Sequence, residues 1–188
     1  MKKTLCLLFV AWAGAAVGAY AQETTPSKTA LANPITASEK GAYGYISGVV
    51  VAAAEKMPEE NYSFKPTPDV RSFGQLVGHV ADAQYETCGT AMGEQPQMKN
   101  IEKTKTSKAD LVAALKDSVS YCQKAFAGMT DAKGAQMAKM DNYDMAKLTL
   151  LSVNTAHIYE HYGNMVTYMR LKGLVPPTSE KPAAQGQK

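Results

Sequence analysis

From Ser107 onward, Leu111, Leu115, Val119, Cys122 and Phe126 recur at helical spacing and lie along one side of a single helix. A stripe of that kind must be covered, because most helical stability in a protein comes from packing an apolar face. Ser107 with Asp110 three residues later marks the start. Three other segments read the same way. Thr36 and Glu39 have capping-box spacing and open a segment running to about Met57, where Pro58 stops it. Ser72 and Gln75 open a second, from Phe73 to about Met92. The last runs from about Met145 to Lys172. Gly173 serves as its cap, Arg170 and Lys172 suit its C-terminal dipole, and Pro176-Pro177 prevent continuation. No stretch gives a convincing strand, and 128–144 is ambiguous. Four amphipathic helices without strands predict an all-α four-helix bundle over residues 35–175.

The ends of the chain do not belong to this bundle. Lys2 and Lys3 precede the apolar run "TLCLLFVAWAGAAVGA", and "AYA" at 19–21 offers small residues at the positions a signal peptidase reads. Residues 1–21 are expected to be a signal peptide, cleaved after Ala21. Cys6 lies too early in the run for lipoprotein attachment, and the run is short for a spanning helix, so no stable membrane anchor is expected after cleavage. The mature protein would be secreted or periplasmic. Residues 22–34 read as a flexible lead-in, and 176–188 as a disordered tail.

Charge excludes one class of partner. The net charge of +3 drops to near neutral once Lys2 and Lys3 leave with the signal peptide. Such a chain lacks the electrostatic footprint for nucleic acid. The segment "KNIEKTKTSK" (99–108) is mildly basic but has no aromatics and contains Glu102, and it reads as a solvated loop. The ten methionines invite a copper reading. Met165 and Met169 have core spacing instead.

The three histidines carry the chemistry. His157 and His161 are four apart on the last helix, so they differ by ~40° in direction and ~6 Å in height and share a face. His79 flanks the stripe of Phe73, Leu76 and Val80 on the second helix, near the bundle interior. Imidazole is a common ligand for zinc, nickel and iron. Two ligands from one helix and one from another would make a three-histidine site with open positions, as catalytic sites keep. The other reading is three core histidines with ordinary polar partners. The zincin motif is absent, since Ile158 follows His157.

Two stretches, "FKPTPDVRSFGQLVGHVADAQYETC" (64–88) and "HIYEHYGNMVTYMRLKGLVPP" (157–177), resemble the DinB superfamily of helical metal-binding proteins. With the helix order, the likeness covers almost all of the mature chain. It implies an up-down-down-up four-helix bundle and one divalent metal on His79, His157 and His161. Zinc or nickel fits best, and iron fits also. Many members carry glutamine where this chain has Asn164. Some transfer low-molecular-weight thiols inside cells, an activity an exported protein would rarely have substrate for.

Around the histidines, Asp82 and Glu86 share the His79 face and are the candidates for a base toward metal-bound water or for orienting a ligand; as plain helix residues both would be solvated charges. Glu160 lies off the face of His157. Asn154 and Tyr168 run along the histidine face and are candidates to line a pocket. Cys88 and Cys122 are the cysteines left after export, and they form a disulfide if their helices pack with Cα atoms within about 7 Å; otherwise they are buried thiols. Two functions follow. One is a metal-dependent hydrolase or transferase acting on a small molecule. The other is a cell-envelope protein that holds a metal or ligand without turnover. A homodimer is compatible with such a bundle, and no residue argues for it.

Overall fold

The computed structural model describes residues 32–95, 97 and 99–181. The expected signal peptide, most of the lead-in and the last seven residues lie outside them. Four long helices form the bundle: α1 (Pro34–Lys56), α2 (Phe73–Met92), α4 (Lys108–Ala127) and α6 (Lys147–Leu171). Between them come two single-turn helices, α3 (Ile101–Thr104) and α5 (Asp131–Gly134). A hairpin of β1 (Met137–Met140) and β2 (Tyr143–Ala146) precedes α6. Among the described residues no helix is long and apolar enough to cross a membrane.

Side-chain pairings fix the directions. Gly74 meets Leu111 and Cys88 meets Cys122, so α2 and α4 run parallel. Tyr43 stacks on Phe126 while Glu55 pairs with Lys116, so α1 and α4 run antiparallel. Cys88 lies by Asn154 and His79 by His157, so α2 and α6 run antiparallel. Glu39 bonds Thr155 near one end, and Lys56 pairs with Glu180 beyond the other, so α1 and α6 run parallel. The order is up-down-down-up. The long connection from α2 to α4 follows from their parallel packing, since a short turn cannot join parallel neighbours.

The core follows the apolar stripes. Ile46, Val50, Val77, Val80, Leu115, Leu150, Leu151, Ile158, Met165 and Met169 are fully enclosed. One polar chain crosses it: Tyr43 Oη donates to Gln84 Oε1 at 2.6 Å, and Gln84 Nε2 donates to Ser118 Oγ at 2.9 Å. Both polar ends of Gln84 are satisfied, as a buried amide requires.

The caps agree with the sequence in two helices and differ in one. Ser72 and Gln75 form the full capping box of α2, and the Ser107 side chain accepts from Asp110 N–H on α4. On α1, Thr36 is not the cap. The helix starts at Pro34, and its free Ile35 and Thr36 N–H groups donate to the Asp131 carboxylate. Glu39 instead accepts from the Thr155 hydroxyl. A carboxylate from a distant turn thus does the work expected of a local box, because an acid at a helix N-terminus also complements the dipole.

The ambiguous segment 128–144 resolves into α5 and the hairpin, which takes Met145 and Ala146 as well, so α6 begins at Lys147. Asp141, with φ of 53°, makes the tight turn. At the far end Gly173 adopts φ of 73° and Leu174 N–H reaches Met169 O, closing α6. The tail is ordered further than its composition implied. Pro176 is buried, Thr178 Oγ1 and N–H both bond the Tyr162 hydroxyl, and Glu180 pairs with Lys56. Specific anchoring offsets the chain entropy that polar, proline-rich composition alone would leave uncompensated.

Candidate metal centre

His79 comes from α2, and His157 and His161 come from the antiparallel α6. His157 Nε2 lies 3.1 Å from His79 Nε2 and 2.9 Å from His161 Nε2. Among the described residues this is the one group of three or more histidine, cysteine, aspartate or glutamate side chains placed to share an ion, with ligand atoms all within 4.8 Å of one another. Three imidazole nitrogens aimed at one point present three lone pairs or protons to each other. His157 Nε2 carries at most one proton, so it donates to at most one neighbour. A cation at the centre satisfies all three at once. The two separations are close to the roughly 3.3 Å that a tetrahedral ion with ~2.0–2.1 Å bonds sets between its ligands. The donor set therefore fits a divalent ion of the zinc type.

The orientation of His79 has a visible cause. Its Nδ1 donates to Glu102 Oε2 at 3.1 Å, which leaves Nε2 as the lone-pair atom. Glu102 comes from α3, in the stretch the sequence placed in a solvated loop. Ile101 is buried there and anchors the turn. The carboxylate of Asp82 accepts from Ile101 N–H and Glu102 N–H, each at 2.9 Å, and so caps the turn. Gly78 lets the turn approach: a Cβ there would lie 2.7 Å from Glu102 Cα. Glu102 Oε1 accepts from Arg71 Nε at 2.9 Å. Arg71 is fixed in turn by its carbonyl, which accepts from Tyr168 Oη at 2.8 Å.

Electrostatics favour neutral imidazoles. Burial holds all three histidines below their ordinary range, with His157 pushed down to about 4. For His157 the second cause is repulsion from His161. The Arg71 guanidinium pushes each of the three the same way. Neutral imidazole is the form that binds metal. At a lowered pKa, the His79–Glu102 contact is a hydrogen bond from a neutral ring to a carboxylate.

The other expected residues divide. Asp82 is not turned to the histidine nitrogens as a base, since both its oxygens are committed to backbone N–H groups; it acts on the site through Glu102. Glu86 is half-buried, and its carboxylate is not among the atoms gathered with the histidines. Glu160 is exposed and only raises the His157 and His161 pKa values from a distance. Asn154 is buried against the sulfurs, its Nδ2 3.8 Å from Cys88 and 3.7 Å from Cys122. Tyr168 does line a pocket. A cavity of about 490 Å³ is walled by Lys65, Arg71, Gln75, Glu102, Asn164 and Tyr168, among others. Cys88 and Cys122 are joined in a disulfide, with Cα atoms 5.3 Å apart. Glu102 and Arg71 had no sequence signal as site residues, because each is brought in by loop packing rather than by helical spacing.

The class that the fold and site define is an up-down-down-up helical bundle with a histidine cluster, compatible with a metal ion, on the second and fourth of its long helices. The DinB superfamily model matches residues 48–165, and the chain belongs to that superfamily. Two solved structures share the fold. One is a DinB-like protein of Bacillus cereus ATCC 10987, 17% identical, with a TM-score of 0.66 over 74% of this chain and 93% of that one. The other is a DinB-like protein of Bacillus subtilis, 21% identical, with a TM-score of 0.64 over 80% of this chain and 99% of that one. Comparison with functionally curated proteins finds no significant match.

Proposed function

We propose that this is an exported DinB-superfamily protein that holds one divalent metal ion on His79, His157 and His161 and works on a small molecule as a metal-dependent hydrolase or transferase. The observation that carries the reading is the convergence of three neutral imidazoles on a point beside an open cavity. His79 keeps 25% of its side chain exposed, so the ring lies at the edge of the bundle and not deep in its core. When bound, such an ion acidifies water or polarises a carbonyl or phosphoryl oxygen. His157 and His161 supply two ligands from one rigid helix. Glu102 holds the His79 proton on Nδ1 and so keeps Nε2 directed at the ion. Zinc and nickel suit imidazole donors, and iron does also. Export rests on the N-terminal sequence, and the disulfide supports it, because such bonds persist in oxidising compartments.

Metal analysis of protein purified without chelator tests the site. One equivalent of a divalent ion is expected, lost in His79→Ala and in His157→Ala. Full stoichiometry in both variants would sink the ligand assignment. Water exchange measured at the bound ion then tests turnover. An ion that reaches no exchangeable water would leave a metal-binding protein of the cell envelope without catalysis.

A further inference from the structure

The cavity beside the triad has its own chemistry. Gln75 lies one turn before His79 on α2, and Asn164 and Tyr168 follow His161 on α6. Because α2 and α6 run antiparallel, these residues all lie on the same side of the histidines. The cavity therefore continues the α2–α6 groove directly beyond the triad. The segment ending in Arg71 forms one wall of it, and the Phe64 ring meets Tyr168 edge-on at 5.9 Å.

The charges in that groove are unevenly committed. Glu102 has one oxygen on Arg71 and the other on His79. Arg71 uses only Nε, leaving both Nη groups without a hydrogen-bond partner among the described residues. Lys65 likewise has no ion pair there, and Asp69 is an exposed acid on the rim. Arg71 is also pre-positioned, with its carbonyl held by Tyr168 and its Nε by Glu102. A guanidinium held in place with its fork free is suited to a planar carboxylate or to a phosphate. The Asn164 amide adds a polar group that can donate.

Resting on the metal reading above, we infer that the protein takes a small molecule with an anionic group, a carboxylate or phosphate, which Arg71 binds while the other end reaches the histidine site. Arg71 is then a specificity-determining residue, and Lys65 strengthens the field at the mouth of the groove.

The test uses zinc-loaded full-length mature protein and two probes that bind zinc through the same group. Glutaric acid monohydroxamate carries a terminal carboxylate, and valerohydroxamic acid does not. Calorimetric titration should find the first at least about tenfold tighter, in line with one charge-assisted hydrogen-bonded pair. In Arg71→Met the ratio of the two affinities should fall to about one, whatever shift the two probes share through Glu102. Equal affinities in the wild type, or an advantage that survives in Arg71→Met, would overturn the inference. If zinc does not bind at all, the metal reading fails separately. Zinc-free protein then decides the anion pocket by NMR, with inorganic phosphate and glutarate titrated in turn. Saturable shifts of the Arg71 Nε and Asn164 amide signals uphold it and name the preferred anion; no shift with either overturns it.

Discussion

Asp82 and Glu102 are joined through the backbone: the Asp82 carboxylate holds the Glu102 N–H at 2.9 Å, and Glu102 then holds the His79 ring. The acid nearest His79 in sequence thus reaches the His79 ring only through Glu102. Glu102→Gln should weaken zinc binding by roughly 10- to 100-fold, because the partner of a ligand histidine tunes its basicity and orientation. Competition against a chromophoric chelator measures it. An unchanged affinity would show that His79 needs no carboxylate.

Asp82→Ala removes both caps from α3 and should cost about 1–2 kcal/mol of stability. Zinc affinity should fall in the same direction as in Glu102→Gln. The double variant should be little weaker in zinc binding than Glu102→Gln alone, since both act along one path. Additive losses would separate the two residues.

Gly78→Ala places a Cβ 2.7 Å from Glu102 Cα, a clash with backbone that no rotamer relieves. The turn must move, at a cost of about 1–3 kcal/mol in urea unfolding. Zinc affinity should drop with it. Wild-type stability and affinity together would mean that α3 does not pack as described.

Metal-free protein should lose stability as pH falls from about 6.5 toward 4. The sign follows from burial. All three histidines have folded-state pKa values below the ordinary 6.5, and that of His157 is about 4. The unfolded chain therefore takes up protons first, and stability declines through that window and is fully retained above it. Thermal melts of chelator-treated protein read the effect. His157→Asn should flatten the curve, and an equally steep curve in that variant would remove the burial of His157 as a cause.

Replacing Cys88 and Cys122 with alanine opens a covalent loop with a sequence separation of 34. The loss expected from loop entropy is about 3–4 kcal/mol, measured by denaturant unfolding against the oxidised wild type. A change under ~1 kcal/mol would mean that the packing around Asn154 alone holds α2 against α4.

The helices were legible because apolar stripes and caps are local signals. Leu111 to Phe126 and the Ser72–Gln75 box read directly from spacing. The histidine set needed the family likeness, since His157 and His161 alone allowed two readings. What escaped was decided by distant packing. Asp131 caps α1 from the far side of the sequence, and no local pattern announces that. Glu102 sits among lysines and reads as a solvated charge until Ile101 buries and Asp82 caps the turn. The hairpin carried only the Asp141–Asn142 pair as a turn signal, within four-residue strands too short for alternation to stand out.

A four-residue helix has no stability of its own, so α3 takes its shape from what it leans on. The bundle supplies the three nitrogens, and this insert supplies the carboxylate behind one of them. Geometry and basicity at the histidines therefore reside in separate pieces of chain. Changes confined to the connection between α2 and α4 can retune how strongly His79 donates while the ligand positions stay put. Two bundles with the same histidines and different inserts would share a scaffold and differ in reactivity.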